Sequence, residues 1–178
     1  MVTAAGQLTQ ALAGWLLQAV GEELAAGQAG PVGTQLLAPG AGPPPADWCC
    51  RHTGPDGTDG EGMAWVRLVR RYPSTRFPAP DTTPARCGAS WAVDVELGVY
   101  RCAHTLDDQG NPPTAAEMTA DALMVNDDAH SLLRAACRVR WPYVIGAWTP
   151  LGPSGGCVGG AQLLAVALSS GPIGKERT

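Results

Sequence analysis

Ala89-Ser-Trp-Ala-Val-Asp-Val-Glu-Leu-Gly-Val-Tyr-Arg-Cys102 is the stretch whose reading decides the fold. Trp91, Val93, Val95, Leu97 and Val99 share one parity, while Asp94, Glu96, Gly98 and Tyr100 share the other. An alternation this long is the pattern of a β-strand with one buried and one wetted face, because successive side chains leave a pleated backbone on opposite sides. The buried parity is β-branched and aromatic, which suits a pleated surface. No other segment gives so strong a strand signal.

Working outward, the chain shows two amphipathic helices. Leu8, Ala11, Leu12, Trp15, Leu16, Ala19 and Val20 recur at helical spacing, and Gly27 followed by Gly30-Pro31 ends that helix. Thr114-Ala-Ala-Glu117 has the form of a capping box. From it the stripe Met118, Ala122, Val125, Ala129, Leu132, Leu133 and Ala136 runs toward Val139, with Asn126-Asp-Asp128 as a place where the helix could kink. Short strands are expected over Val32–Ala38 and from Trp48-Cys49-Cys50, and longer ones over Met63–Tyr72, Tyr143–Thr149 and Ala161–Ser169. The last is apolar on both parities, as in a strand covered on both sides.

Between these elements lie long Pro/Gly-rich loops. Pro73, Pro78, Pro80 and Pro84 exclude both helix and central strand over Tyr72–Pro84. Pro39–Pro45, Thr53–Gly62 and Leu151–Gly160 read as further loops. The pattern is an α+β fold: a mixed, mainly antiparallel sheet flanked by two long helices. A chain of 178 residues suits a single domain over 1–170 with a flexible tail over 171–178.

Composition narrows the function. The net charge of −4 argues against a dedicated nucleic-acid binder, which normally carries a basic patch. No stretch of about 18 apolar residues is present, so no membrane partner is expected, and the N-terminus lacks the basic region of a signal peptide. A cytosolic origin follows, and with it six cysteines expected as free, buried thiols and not as a disulfide framework.

Candidate chemistry is sparse. Gly152-Pro-Ser-Gly-Gly-Cys-Val-Gly-Gly160 lacks the lysine and following helix of a phosphate-binding loop, and reads as a hairpin loop. Cys49, Cys50, His52, Cys87, Cys102, His104, Cys137 and Cys157 could in principle ligate zinc, but paired spacing is missing, and adjacent Cys49 and Cys50 on a strand would point to opposite faces. His130 beside Asp127 and Asp128 reads as a solvated helix face, and Asp107-Asp108 as turn residues. No catalytic residue, cofactor-binding residue or metal ligand is therefore assigned from the sequence, and an enzyme is not expected.

Four features together resemble the tail-terminator or neck (head-to-tail joining) proteins of long-tailed actinobacterial phages. These are the early amphipathic helix, the Cys87-Gly-Ala-Ser-Trp91 entry into a strand ending Val99-Tyr-Arg-Cys102, the Asp107-Asp-Gln-Gly-Asn-Pro-Pro113 turn, and Pro150–Gly160 before the last strand. The resemblance covers about residues 48–169. It implies a structural virion protein without catalytic residues or cofactors, assembling as a ring, commonly a hexamer, that caps the tail tube and joins it to the head connector or stopper. Its implied partners are further copies of itself, the tail-tube protein and the connector, with DNA passing through an acidic lumen without specific binding. Its implied location is the host cytoplasm during assembly and then the neck of the virion. Tyr72–Pro84 and Leu151–Gly160 would touch the neighbouring rings. Insertions at Gly27–Pro45 and Thr53–Gly62 depart from the compact form of the family and leave terminator, stopper and connector positions open. The alternatives are a small Cys/His metal-binding domain or enzyme, and an accessory protein of a contractile injection particle on the same fold.

Overall fold

The computed structural model describes residues 4–46, 49–50, 62–85, 89–107 and 109–168. The expected tail over 171–178, His52, Cys87, Trp48 and the 53–61 loop lie outside the described residues. The elements run α1 (Ala4–Ala26), β1 (Thr34–Leu37), β2 (Met63–Pro73), β3 (Trp91–Cys102), α2 (Ala115–Cys137), β4 (Tyr143–Ser154) and β5 (Cys157–Leu168). They form an α+β fold whose five-stranded sheet has the order β1-β2-β3-β5-β4, antiparallel except for the β1–β2 pair.

Strand β3 lies at the centre, as its alternation demands, with Val95 opposite Leu68 of β2 and Leu164 of β5. Val93, Val95, Leu97 and Val99 pack under both helices with Leu12, Leu16, Val20, Leu24, Leu132, Ala135, Leu164 and Val166. The other parity is not wetted as expected. Asp94 is 6% exposed and Tyr100 6% exposed, and a second cluster of Ala38, Ala46, Cys49, Met63, Trp65, Tyr100, Cys157 and Ala161 occupies that face.

The cover on this second face follows from topology. A parallel pair needs a crossover between the end of β1 and the start of β2. Here the described parts of the crossover, residues 38–46 and 49–50, carry Ala38, Ala46 and Cys49 onto the face opposite the helices. On that face Trp65 lies across Gly98, where a Cβ would come within 2.1 Å of the indole, so only glycine admits the ring. Charged partners of the same parity are satisfied in place: Arg67 bonds Glu96 at 2.6 and 2.7 Å, and Arg70 bonds Asp94 at 2.6 Å.

Helix α2 begins at the capping box read from the sequence. Glu117 N–H donates to Thr114 Oγ1 at 3.3 Å, and Thr114 N–H donates to Glu117 Oε2 at 2.7 Å. The helix runs as one element through Asn126-Asp-Asp128. Asp128 is no solvated residue either, since it is wholly buried and takes two hydrogen bonds from Arg101, at 2.8 and 2.9 Å. Arg101 also donates to the Gly30 and Pro31 carbonyls, so one guanidinium ties β3, α2 and the loop after α1 together. Asp127 accepts from Ala29 N–H at 2.9 Å, and the helices are further joined at Arg134–Glu23 and Arg138–Glu22.

The glycine-rich stretch 151–160 is largely strand, not loop. β4 and β5 run on to a turn at Gly155-Gly156, both with positive φ (58° and 78°), which suits the tight turns whose twist matches paired strands. Beyond β2, Ser74 and Asp81 hold the proline-rich segment in a closed loop through Ser74 Oγ–Ala79 O and Asp81–Thr75 bonds. Among the described residues no helix is long and apolar enough to cross a membrane.

Candidate functional site

Two features at one end of the sheet stand apart from the packed core. The first is a sulfur cluster on the crossover face. Cys102 and Cys157 are register partners at the ends of β3 and β5 and share that face. Cys49 and Cys50 arrive above them in a turn closed by Cys49 N–H donating to Ala46 O. Cys49 is bridged to Cys157 and Cys50 to Cys102, with Cα separations of 6.3 and 5.4 Å. The expectation of free buried thiols is thus overturned for these four. Spacing gave no hint, because the pairs are 108 and 52 residues apart and meet only through the crossover. Adjacent side chains diverge on a strand, but Cys49 and Cys50 sit in a turn, which lets both reach the same pair of strand ends. Cys137 is a free thiol, exposed at the end of α2 and not buried.

The second feature is a cleft of about 680 Å³ on the helix face, between α2 and the β4–β5 hairpin. Its walls are mainly apolar and include Leu106, Met118, Ala122, Val125, Leu151 and Val158. The cleft exists because α2 is only half packed. Its buried residues, Asp128, Ser131, Leu132, Ala135 and Ala136, all lie in the C-terminal half, and none lies between Ala115 and Asp127. Yet the apolar stripe continues through that N-terminal half. Met118 is 55% exposed and Leu123 65% exposed, and Leu106 on the facing loop is 63% exposed.

Of the ionisable groups near this end of the sheet, His104 and Asp121 line the cleft, while Asp107, Glu117 and Asp128 lie outside its walls. Asp121 accepts from the His104 main-chain N–H at 3.0 Å and lies 2.8 Å from His104 Nδ1, fastening the segment after β3 to α2. Asp107 takes the Gln109 and Asn111 N–H groups and the Asn111 amide, which hold its carboxyl below the usual carboxylate range. The Thr114 hydrogen bonds lower Glu117 in the same way. Burial pushes the Asp128 carboxyl up, against the Arg101 hydrogen bonds that pull it down.

Of the candidate ligands read from the sequence, the fold gathers Cys49, Cys50, Cys102 and Cys157. It leaves Cys137 exposed on α2 and pairs His104 with Asp121, while His130, read as part of a solvated helix face, is exposed on α2. The sequence reading missed the His104–Asp121 pair, which a 17-residue separation conceals. It also missed the buried Arg101–Asp128 pair, since nothing in a linear chain distinguishes a buried helix aspartate from a wetted one. No family model matches this chain, and no curated protein matches it.

Proposed function

We propose that this chain is a structural subunit that assembles with copies of itself into a ring, as the terminator or neck of a long-tailed phage. The observation that carries the reading is the half-packed helix α2. Its stripe of Met118, Ala122 and Val125 continues the core pattern, but these residues line an open cleft and not their own sheet. A monomer that left Met118 and Leu106 of the cleft in water would forgo about 1.5–3 kcal/mol for each large side chain that a partner could bury. A neighbouring copy packing into the cleft recovers that energy, and a head-to-tail contact of this kind closes into a ring when its rotation permits. The acidic net charge of −4 suits a lumen that DNA crosses without adhering. The family resemblance of residues 48–169 supplies the virion setting, with tail tube and head connector as the flanking partners.

Native mass spectrometry and negative-stain imaging, on the chain alone and with tail-tube protein, test this. Discrete rings are expected, and the Met118→Asp and Leu106→Asp variants should keep the circular dichroism and a cooperative thermal transition while losing the rings. A chain that stays monomeric in both settings overturns the proposal.

A further inference from the structure

The sulfur cluster is more compact than two independent crosslinks require. Cys49 Sγ lies 3.2 Å from Cys50 Sγ, and Cys50 Sγ lies 3.9 Å from Cys157 Sγ, across the two bridges. The Sγ atoms of Cys49, Cys50 and Cys157 all fall within 4.8 Å of one another, and Cys102, outside that mutual group, joins it through its bridge to Cys50. Four thiolates around zinc at about 2.3 Å stand about 3.8 Å apart along each edge of the tetrahedron. We propose that, once reduced, Cys49, Cys50, Cys102 and Cys157 bind a single zinc ion as a four-thiolate site, of which the two disulfides are the oxidised form.

The placement of the ligands fits a structural zinc. Cys102 and Cys157 come from paired strands that hold their separation, while Cys49 and Cys50 come from a turn that can move the short distance needed to open each bridge. Cys49 and Cys157 are 1% and 0% exposed, so the site is shielded, while Cys50 is exposed and gives the ion a way in. Four protein sulfurs leave no open coordination position, which is the mark of a structural site and not a catalytic one. In either state the site pins the crossover to the second face of the sheet. A zinc-bound form accounts for how four clustered cysteines keep that crossover in place where thiols are held reduced.

Tris(2-carboxyethyl)phosphine cleaves each S–S bond with two electrons, and its phosphorus takes an oxygen from water, leaving two thiols per bridge. Four thiols then release protons as zinc binds.

The test uses full-length chain reduced with this phosphine under argon, mixed with zinc, and dialysed against metal-free buffer. About one zinc ion per chain is expected to remain, by elemental mass spectrometry. Cobalt(II) added instead should give the intense thiolate charge-transfer and tetrahedral ligand-field bands of a four-sulfur site. Bound zinc should protect four thiols from iodoacetamide while exposed Cys137 still reacts. Cys102→Ser and Cys50→Ser should each lose the retained metal. Reduced chain that retains no metal while its cluster thiols titrate as free overturns the proposal, as does metal retained unchanged in both serine variants. Should a serine variant fail to fold, the cobalt spectrum of the unsubstituted chain decides, and bands of octahedral or oxygen-rich coordination refute the site.

Discussion

Replacing Asp128 by alanine isolates the interaction on which the joining of α2 to the sheet depends. The Arg101 and Asp128 side chains are 4% and 1% exposed, and Arg101 reaches both carboxylate oxygens, at 2.8 and 2.9 Å. Truncation leaves the guanidinium buried with, among the described residues, the Gly30 and Pro31 carbonyls as acceptors. Two charge-assisted hydrogen bonds are lost, each worth about 1.5–3 kcal/mol, and an uncompensated charge remains, so a cost of about 3–5 kcal/mol is expected. Against a total of about 5–15 kcal/mol this is severe but survivable. For a chain of this length it lowers the thermal midpoint by about 6–20 °C.

Urea unfolding followed by tryptophan fluorescence measures the cost directly. The double variant Arg101→Met with Asp128→Leu removes both charges and keeps apolar volume, and should recover most of the loss. The Arg134–Glu23 pair makes the contrast. At 46% and 21% exposure it is screened, and Glu23→Ala should cost under about 1 kcal/mol. An Asp128→Ala variant losing less than about 1 kcal/mol with an unchanged denaturant slope would refute the reading of Arg101–Asp128 as a dry, shared anchor.

Val95→Asp sets an unpaired carboxylate in the most enclosed part of the core, and should leave no cooperative unfolding transition by calorimetry; a variant with a parent-like transition would show the face assignment of β3 to be wrong. Gly98→Ala drives a methyl into the Trp65 ring, itself wholly buried and bonded to Glu96, and should cost about 1–3 kcal/mol or more in urea; a change within about 0.5 kcal/mol would contradict the close packing of this pair. The Glu117 carboxyl is held below its ordinary value of 4.5, chiefly by the Thr114 main-chain hydrogen bond, so its contribution to helix stability is present above 4.5 and lost as pH falls through the lowered folded value. Carbon-detected NMR titration should place that folded value below 4.5 in the parent and closer to it in Thr114→Ala; titration of the parent at or above 4.5 would remove the capping box from the account.

How much of this was legible in the chain depends on the range over which each force acts. Alternation over Trp91–Cys102, the stripes of both helices and the Thr114–Glu117 cap are local patterns, and the structure carries each of them where the spacing places it. The α+β class follows from their order alone. The glycines of 151–160 misled because glycine favours loops on average, whereas here Gly160 lies beneath Trp148 and Gly155-Gly156 make only the turn.

The sequence by itself determined both helices and the bodies of the long strands, because hydrophobic periodicity and capping act between residues a few positions apart. Only the tertiary structure decided which aspartate is buried, which cysteines meet and which part of the α2 stripe is left uncovered. Those outcomes follow from the crossover between β1 and β2 and from the cleft that separates the N-terminal half of α2 from the β4–β5 hairpin, and both are set by contacts between residues far apart in the chain.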